Sequence, residues 1–151
     1  MINSRDIKEL HPYVQGLCRK FIAECKKQGI DVLVTSTYRD KESQAAIYAQ
    51  GRTKPGRIVT KAKAGQSWHN FRLAFDFVPI VNGKAVWNDA RLFKRCRAIG
   101  ESLGLEGLDF EMAHLQARGG LTIAQANAGK SRSLRRDDHH LPYCWILYLA
   151  L

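Results

Sequence analysis

Apolar residues recur with a helical period along much of the chain. Between residues 13 and 28 they return every three or four positions, as on one face of an amphipathic helix: Val14, Leu17, Cys18, Phe21, Ile22 and Cys25. Gly29 follows, at a position where helices commonly end. A second helix is predicted over residues 40–51, capped by Asp40 and closed by Gly51.

The second half of the chain predicts two more helices. Residues 88–104 favour a helix with Leu92, Cys96 and Ile99 facing inward. A last short helix is expected from Thr122 to about Gly129.

Two apolar runs have the composition of strands. Residues 30–36 ("IDVLVTS") are rich in β-branched side chains, and residues 73–80 ("LAFDFVPI") alternate in polarity. Asn82-Gly83 is a strong hairpin signal, with "KAVW" as the return strand. Residues 52–67 are basic and rich in turn formers, which indicates a loop. Helices and hairpin strands without a βαβ rhythm predict an α+β fold.

The net charge of the chain says more about its binding partners than its overall composition does. The 151 residues suit one domain, and 45% hydrophobic with 25% charged residues is ordinary. A formal net charge of +10 implies an anionic partner, such as nucleic acid, membrane headgroups or an acidic cell-wall polymer. We expect no nucleic-acid partner, since no binding motif is recognisable and aromatic residues do not interleave with a basic stripe.

The cysteines and the N-terminal sequence are evidence on the cellular compartment in which the protein is made. Cys18, Cys25, Cys96 and Cys144 form no CxxC pair, and the first two share an apolar helical face, which favours small core residues. Reduced thiols and synthesis in the cytoplasm fit this pattern. "MINSRDIKEL" lacks the apolar core of a signal peptide, and no stretch approaches the ~20 apolar residues of a membrane span.

The stretch "SWHNFRLAFD" carries the candidate chemistry. His69 and Asp76 stand seven residues apart in an apolar run, where burying either side chain is costly without a partner. A turn at "HNFR" would let both groups share a ligand, and a catalytic zinc site then needs a third protein ligand. His114, preceded by Glu111, is the histidine in another apolar segment. The spacing alone leaves two satisfied structural histidines as the alternative.

Several motifs together resemble the zinc D-alanyl-D-alanine carboxypeptidase group (peptidase family M15). "SWHNFRLAFDFVP" is similar to the Ser-x-His-x-x-Gly-x-Ala-x-Asp signature of these peptidoglycan peptidases. "DIKELHPYVQ", "GIDVLVTSTYRDKESQAAIYAQGRTKPGRIVTKAKAGQSWHN" and "GGLTIAQANAGK" resemble its endolysin branch, the L-alanyl-D-glutamate endopeptidases of bacteriophages. The resemblance covers roughly residues 4–130.

The resemblance implies a fold and a set of site residues. The fold would be a small antiparallel sheet with flanking helices, the zinc D,D-peptidase or hedgehog-like fold. His69, Asp76 and His114 would bind Zn²⁺, and Glu111 in "EMAH" would be the catalytic acid and base. Arg39 in "STYR" and Ser67 would contact the substrate. A surface salt bridge is the alternative role for Arg39.

The resemblance also implies a biological role. We expect a monomeric endopeptidase that cleaves the peptidoglycan stem peptide for host lysis, at the L-alanyl-D-glutamate bond. Such an enzyme would accumulate in the host cytoplasm and reach the wall after release. Its positive charge would favour the anionic wall or lipopolysaccharide. The alternatives are a D,D-carboxypeptidase of the same family and a catalytically impaired wall-binding protein.

The chain departs from the family pattern in three places. Arg72 replaces the signature glycine, at a cost of about 1 kcal/mol or more if that position needs positive φ. The segment "GLEGLDFEMAH" is much shorter than its family counterpart, which leaves Asp109 as a rival to Glu111. Residues 131–151 have no recognised counterpart, so the catalytic domain is predicted to span 1–130, followed by a basic and then apolar tail.

Overall fold

The computed structural model describes residues 1–130. Residues 1–117 form one compact unit, and a second unit begins at Arg118. The predicted tail, 131–151, and the two histidines in it lie outside the described residues, so the domain boundary at Lys130 stays a prediction. Among the helices described, none has the length and apolar character needed to cross a membrane.

The first unit is built on one antiparallel sheet, as the α+β prediction requires. Its strands within the described residues are β1 (Asp31–Ser36), β2 (Ala74–Val81), β3 (Lys84–Ala85), β4 (Glu106–Leu108) and β5 (Glu111–Gln116). The order across the sheet is β1-β2-β5-β4, and β3 pairs with the far end of β2. Asn82 and Gly83 form the predicted turn between β2 and β3, with φ values of 50° and 73°.

The helices follow the predicted order. They are α1 (Pro12–Lys27), α2 (Lys41–Ala49), α3 (Ala90–Ser102) and, in the second unit, α4 (Ile123–Asn127). Asp40 caps α2 by accepting a hydrogen bond from Ser43 N–H at 2.7 Å. Thr122 and Gln125 form a capping box at the start of α4.

Alternation along β2 separates the core from the candidate site. Phe75 and Phe77 point to one face, where they contact Phe21 of α1 at ring-centroid distances of 5.7 Å and 4.9 Å. Phe93 of α3 packs on Phe77 at 5.6 Å. Asp76, lying between the two phenylalanines in sequence, therefore projects from the opposite face.

Register across the sheet places a second candidate residue on that opposite face. Asp76 pairs directly with His114 of β5, so their side chains lie side by side. The neighbouring pair, Phe75 and Leu115, belongs to the core face and both side chains are fully buried. Gly100 of α3 lets the helix approach Leu115, since a Cβ there would lie 2.8 Å from Leu115 Cδ1.

Two sequence predictions need correction. The sequence pattern predicts no strand in "LDFEMAHLQ", yet this segment contains the last residue of β4, a turn at 109–110 and all of β5. Leu92 was predicted to face inward in α3, yet Phe93 holds the buried position beside Cys96 and Ile99. The predicted core cysteines Cys18 and Cys25 are confirmed, as both are fully buried.

The turn that precedes β2 forms where the sequence required it. Residues Trp68–Phe71 make a 3₁₀ helix, and Arg72 follows in the left-handed conformation with φ 63°. The Arg72 guanidinium donates to the Glu9 carbonyl at 2.7 Å, forms an ion pair with the Glu9 carboxylate and lies 3.8 Å from the Tyr38 ring centroid. These contacts offset the cost of a non-glycine residue at positive φ.

Candidate metal centre

Three potential ligand atoms converge on the face of the sheet opposite the core. His69, Asp76 and His114 each offer one atom, and these atoms lie within 4.8 Å of one another. His69 is on the 3₁₀ turn, Asp76 on β2 and His114 on β5. The two rings meet edge to face, with centroids 5.0 Å apart. The structure thus brings together the three residues that the sequence proposed as metal ligands.

Each histidine is oriented by a hydrogen bond on its outer nitrogen. His69 Nδ1 lies 2.7 Å from the Thr37 backbone carbonyl, so in the neutral ring this nitrogen carries the proton. His114 Nε2 lies 2.9 Å from Gln116 Oε1, which assigns its proton in the same way. Both rings therefore direct an unprotonated nitrogen, His69 Nε2 and His114 Nδ1, towards Asp76.

This donor set fits a bound cation. Both inner nitrogens lie 3.2 Å from Asp76 Oδ1. When both rings are neutral and carry their protons on the outer nitrogens, three hydrogen-bond acceptors therefore face one another at close range. A positive ion relieves that repulsion. Two imidazole nitrogens and one carboxylate oxygen are a ligand set that zinc takes in catalytic sites, where a fourth position stays open. Side chains that orient the ligands from behind are typical of such centres.

Charges within the cluster shift the protonation of its members. Burial opposes a charged His114 ring, but the hydrogen bond and charge of Asp76 outweigh it, so the pKa of His114 is raised. Burial likewise opposes an ionised Asp76, yet the two histidines hold the pKa of that carboxyl well below its usual range. Relative to free side chains, the cluster therefore favours the ionised form of Asp76 and the protonated form of His114.

Glu111 lies beside the cluster and Asp109 does not. Glu111 Oε2 is 3.8 Å from His114 Nδ1, and its side chain is 30% exposed. The Asp109 side chain is 96% exposed and forms a 3.0 Å ion pair with Arg97 of α3. Glu111 is thus the carboxylate that can reach both solvent and the ligand cluster.

Arg39 is buried behind Asp76, which contradicts the alternative of a surface salt bridge. Its guanidinium donates to Ser36 Oγ and Gln44 Oε1, both at 3.0 Å, and lies 3.7 Å from Asp76 Oδ2. These contacts hold the carboxylate from the side away from the histidines. Contact between Arg39 and a substrate stays a prediction.

Ser67 is placed at the start of the turn that carries His69. Its hydroxyl accepts a hydrogen bond from His69 N–H at 3.4 Å, which caps the 3₁₀ helix. The residue is 8% exposed. This local contact accounts for a serine here, and contact between Ser67 and a substrate stays a prediction.

Gln116 was missed as a member of the site. It follows His114 by two positions, so a strand places both side chains on one face. The two-residue spacing is visible in "HLQ", but it places both side chains on one face only if β5 is recognised as a strand. The Thr37 carbonyl was missed too, because a backbone acceptor leaves no mark in the side-chain pattern.

Residues 7–120 match the VanY family, described as D-alanyl-D-alanine carboxypeptidase. The chain belongs to this family. Its members are zinc peptidases, which agrees with the ligand set formed by His69, Asp76 and His114.

A curated relative is similar over part of the chain. Peptidoglycan L-alanyl-D-glutamate endopeptidase CwlK from Bacillus subtilis (strain 168) is 41% identical over 81 residues, which is 53% of this chain. The aligned part is 48% of that protein, so the chain spans about half the length of this relative.

Zinc affinity should fall as the solution is acidified. The pKa of His114 is raised above the usual 6.5, so protons compete for Nδ1 at a higher pH than at an ordinary histidine. Displacing one proton per zinc ion predicts up to about a tenfold loss of affinity per pH unit below that pKa. Competition with a chelator between about pH 8 and pH 6 measures it. Constant affinity over this range would contradict a proton-linked His114 ligand.

Proposed function

We propose that the protein is a monomeric zinc endopeptidase that cleaves the peptidoglycan stem peptide at the L-alanyl-D-glutamate bond. The observation that carries the proposal is Glu111, placed next to the cluster of His69, Asp76 and His114 in a chain of the VanY family. The choice of bond is supported by the similarity to CwlK, whose name gives that activity.

The residues divide the chemical work between them. His69, Asp76 and His114 would hold a zinc ion, which would supply Lewis-acid chemistry that polarises a carbonyl and lowers the pKa of a water molecule. Glu111 takes the proton of the attacking water and passes it to the leaving amine. Its partial exposure and its 3.8 Å distance from His114 Nδ1 suit a base that must reach a water at the ligand cluster.

Arg39 has two roles in this proposal. Its contact with Asp76 Oδ2 fixes that ligand's orientation, and its positive charge faces both Asp76 and Glu111. We also propose that the planar guanidinium binds a carbonyl or carboxylate of the stem peptide, and that Ser67, whose hydroxyl lies 3.4 Å from His69 N, contacts the substrate beside the ligand cluster.

Digestion of purified sacculi tests the activity and its bond specificity. An L-alanyl-D-glutamate endopeptidase should release peptides with a new N-terminal glutamate, and a zinc chelator should stop the release. Free D-alanine as the product would instead indicate the D,D-carboxypeptidase activity that the family's description names. Binding without any release would support the impaired wall-binding alternative.

The endolysin role is a further part of the proposal. It rests on the resemblance of the "TYRD...YAQGRT...PG" run to the endolysin branch. The protein would accumulate in the host cytoplasm and reach the peptidoglycan when the inner membrane is breached. Expression in a bacterium should then cause lysis only after the inner membrane is permeabilised independently.

A basic loop beside the site is the proposed contact with the anionic envelope, either the wall or lipopolysaccharide. We define it as residues 52–63, whose cationic side chains are all exposed: Arg52, Lys54, Arg57, Lys61 and Lys63. No acidic residue occurs between Glu42 and Asp76. Two contacts connect the loop to the site. Gln44, which accepts a hydrogen bond from Arg39, donates through Nε2 to the Ala62 carbonyl at 2.7 Å. Lys61 Nζ lies 4.7 Å from the ring centroid of Phe110, the residue before Glu111.

Charge reversal in the basic loop should weaken binding to sacculi. A Lys54→Glu, Arg57→Glu variant is expected to be retained several-fold less at low salt, and the difference should shrink as salt screens charges beyond ~8–10 Å. Arg19→Glu with Lys20→Glu is the matched control, because it makes the same change in net charge on exposed positions of α1. Equal losses in both variants would show that overall charge, rather than this loop, governs binding.

A further inference from the structure

Gln116 lies at the centre of a polar row that crosses three strands. Asp76 pairs with His114, and Gln116 pairs with Glu106 on the other side of β5. Residues that pair directly share a face, as do residues two apart on a strand, so all four side chains lie on the face of the metal centre. Gln116 is 4% exposed.

The amide of Gln116 is oriented from both ends. Its oxygen, Oε1, lies 2.9 Å from His114 Nε2, and its nitrogen, Nε2, donates to Glu106 Oε2 at 3.4 Å. Rotating the amide by half a turn would place its oxygen against the Glu106 carboxylate, where two acceptors repel. Glu106 therefore keeps the acceptor oxygen of Gln116 facing the histidine.

We propose that Gln116 is a positioning residue that fixes the tautomer of His114, with Glu106 holding the Gln116 amide in place. This inference rests on the metal centre of the proposed function and adds two residues that are not among its three ligands. By accepting a hydrogen bond from His114 Nε2–H, Gln116 leaves Nδ1 with a lone pair for a metal ion.

The alternative tautomer explains why this matters. With the proton on Nδ1, His114 would donate to Asp76 Oδ1, 3.2 Å away, and form an ordinary histidine–aspartate pair. That pair would occupy both ligand atoms and oppose metal binding. The Thr37 backbone carbonyl orients His69 in the same way. A side-chain substitution cannot remove that backbone acceptor, but it can remove the acceptor of Gln116.

Zinc affinity is the readout, measured by chelator competition on the purified full chain. Gln116→Leu removes the acceptor at nearly constant volume and should weaken zinc binding by about 10–100-fold, the usual effect of losing such a partner. The swap variant Glu106→Gln, Gln116→Glu keeps an acceptor facing His114 and an amide opposite it, so its affinity should return to within a few-fold of wild type.

Gln15→Leu is the matched control. Gln15 also donates through a side-chain amide, to the Lys8 and Leu10 carbonyls, but it contacts none of the three ligands. Its zinc affinity should equal that of wild type. In the zinc-loaded protein, the slowly exchanging Nε2 proton of His114 should be visible by NMR in wild type and the swap variant, and exchange faster in Gln116→Leu.

The outcomes separate this inference from the proposed function. Wild-type protein that binds no zinc would overturn the metal centre itself. Folded Gln116→Leu with wild-type affinity, or a swap variant as weak as Gln116→Leu, would overturn the positioning role alone. If Gln116→Leu does not fold, Gln116→Asn takes its place, because its shorter side chain withdraws the oxygen from His114 Nε2 and should cause the same loss.

Discussion

Glu111→Gln is expected to lose most peptidoglycan hydrolysis, by about 10²–10⁴-fold, while the protein keeps its fold and its zinc. The amide keeps the shape of the side chain but cannot take a proton from water. Glu111 lies beside the ligand cluster without belonging to it, so metal content should not change. Release of muropeptides from sacculi, together with elemental analysis and circular dichroism, measures all three properties.

Asp109→Asn is the matched control for that experiment. It makes the same chemical change two residues away, on a carboxylate that is 96% exposed and paired with Arg97. Its hydrolysis should stay near the wild-type rate. Loss of activity in Asp109→Asn with retention in Glu111→Gln would mean that the shortened segment presents a different carboxylate to the substrate.

Replacing both histidine ligands should abolish zinc binding and activity together. Wild-type protein purified without a tag should contain about one zinc per chain, as a site with three protein ligands does. His69→Ala with His114→Ala leaves Asp76 as the sole remaining ligand of the set, so zinc content should fall close to background. Elemental analysis of the purified protein measures this directly.

Another histidine pair provides the control for metal content. His139→Ala with His140→Ala removes two adjacent histidines from the part of the sequence beyond residue 130. Zinc content and hydrolysis should both be unchanged. Full zinc occupancy in the His69→Ala, His114→Ala variant would show that the metal is held elsewhere.

Local signals in the sequence predicted most of the fold. The helical period in residues 13–28 and the Asp40 cap led to α1 and α2 within one or two residues. The Asn82-Gly83 turn was equally clear, because both residues tolerate the positive φ that the hairpin needs. Each of these features depends on neighbours in the chain, which a sequence displays directly.

Features that depend on pairing between strands far apart in sequence were harder to predict. Strand β5 lacks a regular alternation of apolar and polar residues, since its buried positions include His114 and Gln116. The sequence of a strand that buries polar side chains in a functional site lacks the apolar–polar alternation expected of a half-exposed strand. The metal ligands were proposed from motif resemblance, whereas Gln116 and the Thr37 carbonyl required the register of β2 against β5 and the path of the turn.

Arg72 illustrates how a local rule is offset by tertiary contacts. A non-glycine residue at positive φ was expected to cost stability, and the structure does place Arg72 in that conformation. The long side chain reaches Glu9 and Tyr38, contacts that glycine could not make. Nothing within the turn itself indicated those partners, because Glu9 is 63 residues away along the chain.

The metal centre can assemble only when the sheet has folded, because its ligands come from two separate segments of the chain. His69 and Asp76 come from one contiguous segment, whereas His114 is 38 residues beyond Asp76 and joins them through strand pairing. A nascent chain that has not yet been synthesised as far as β5 presents two ligands, and two ligands hold zinc weakly. The three-ligand site is therefore complete only after β5 has paired with β2, and a product truncated before His114 lacks the third ligand.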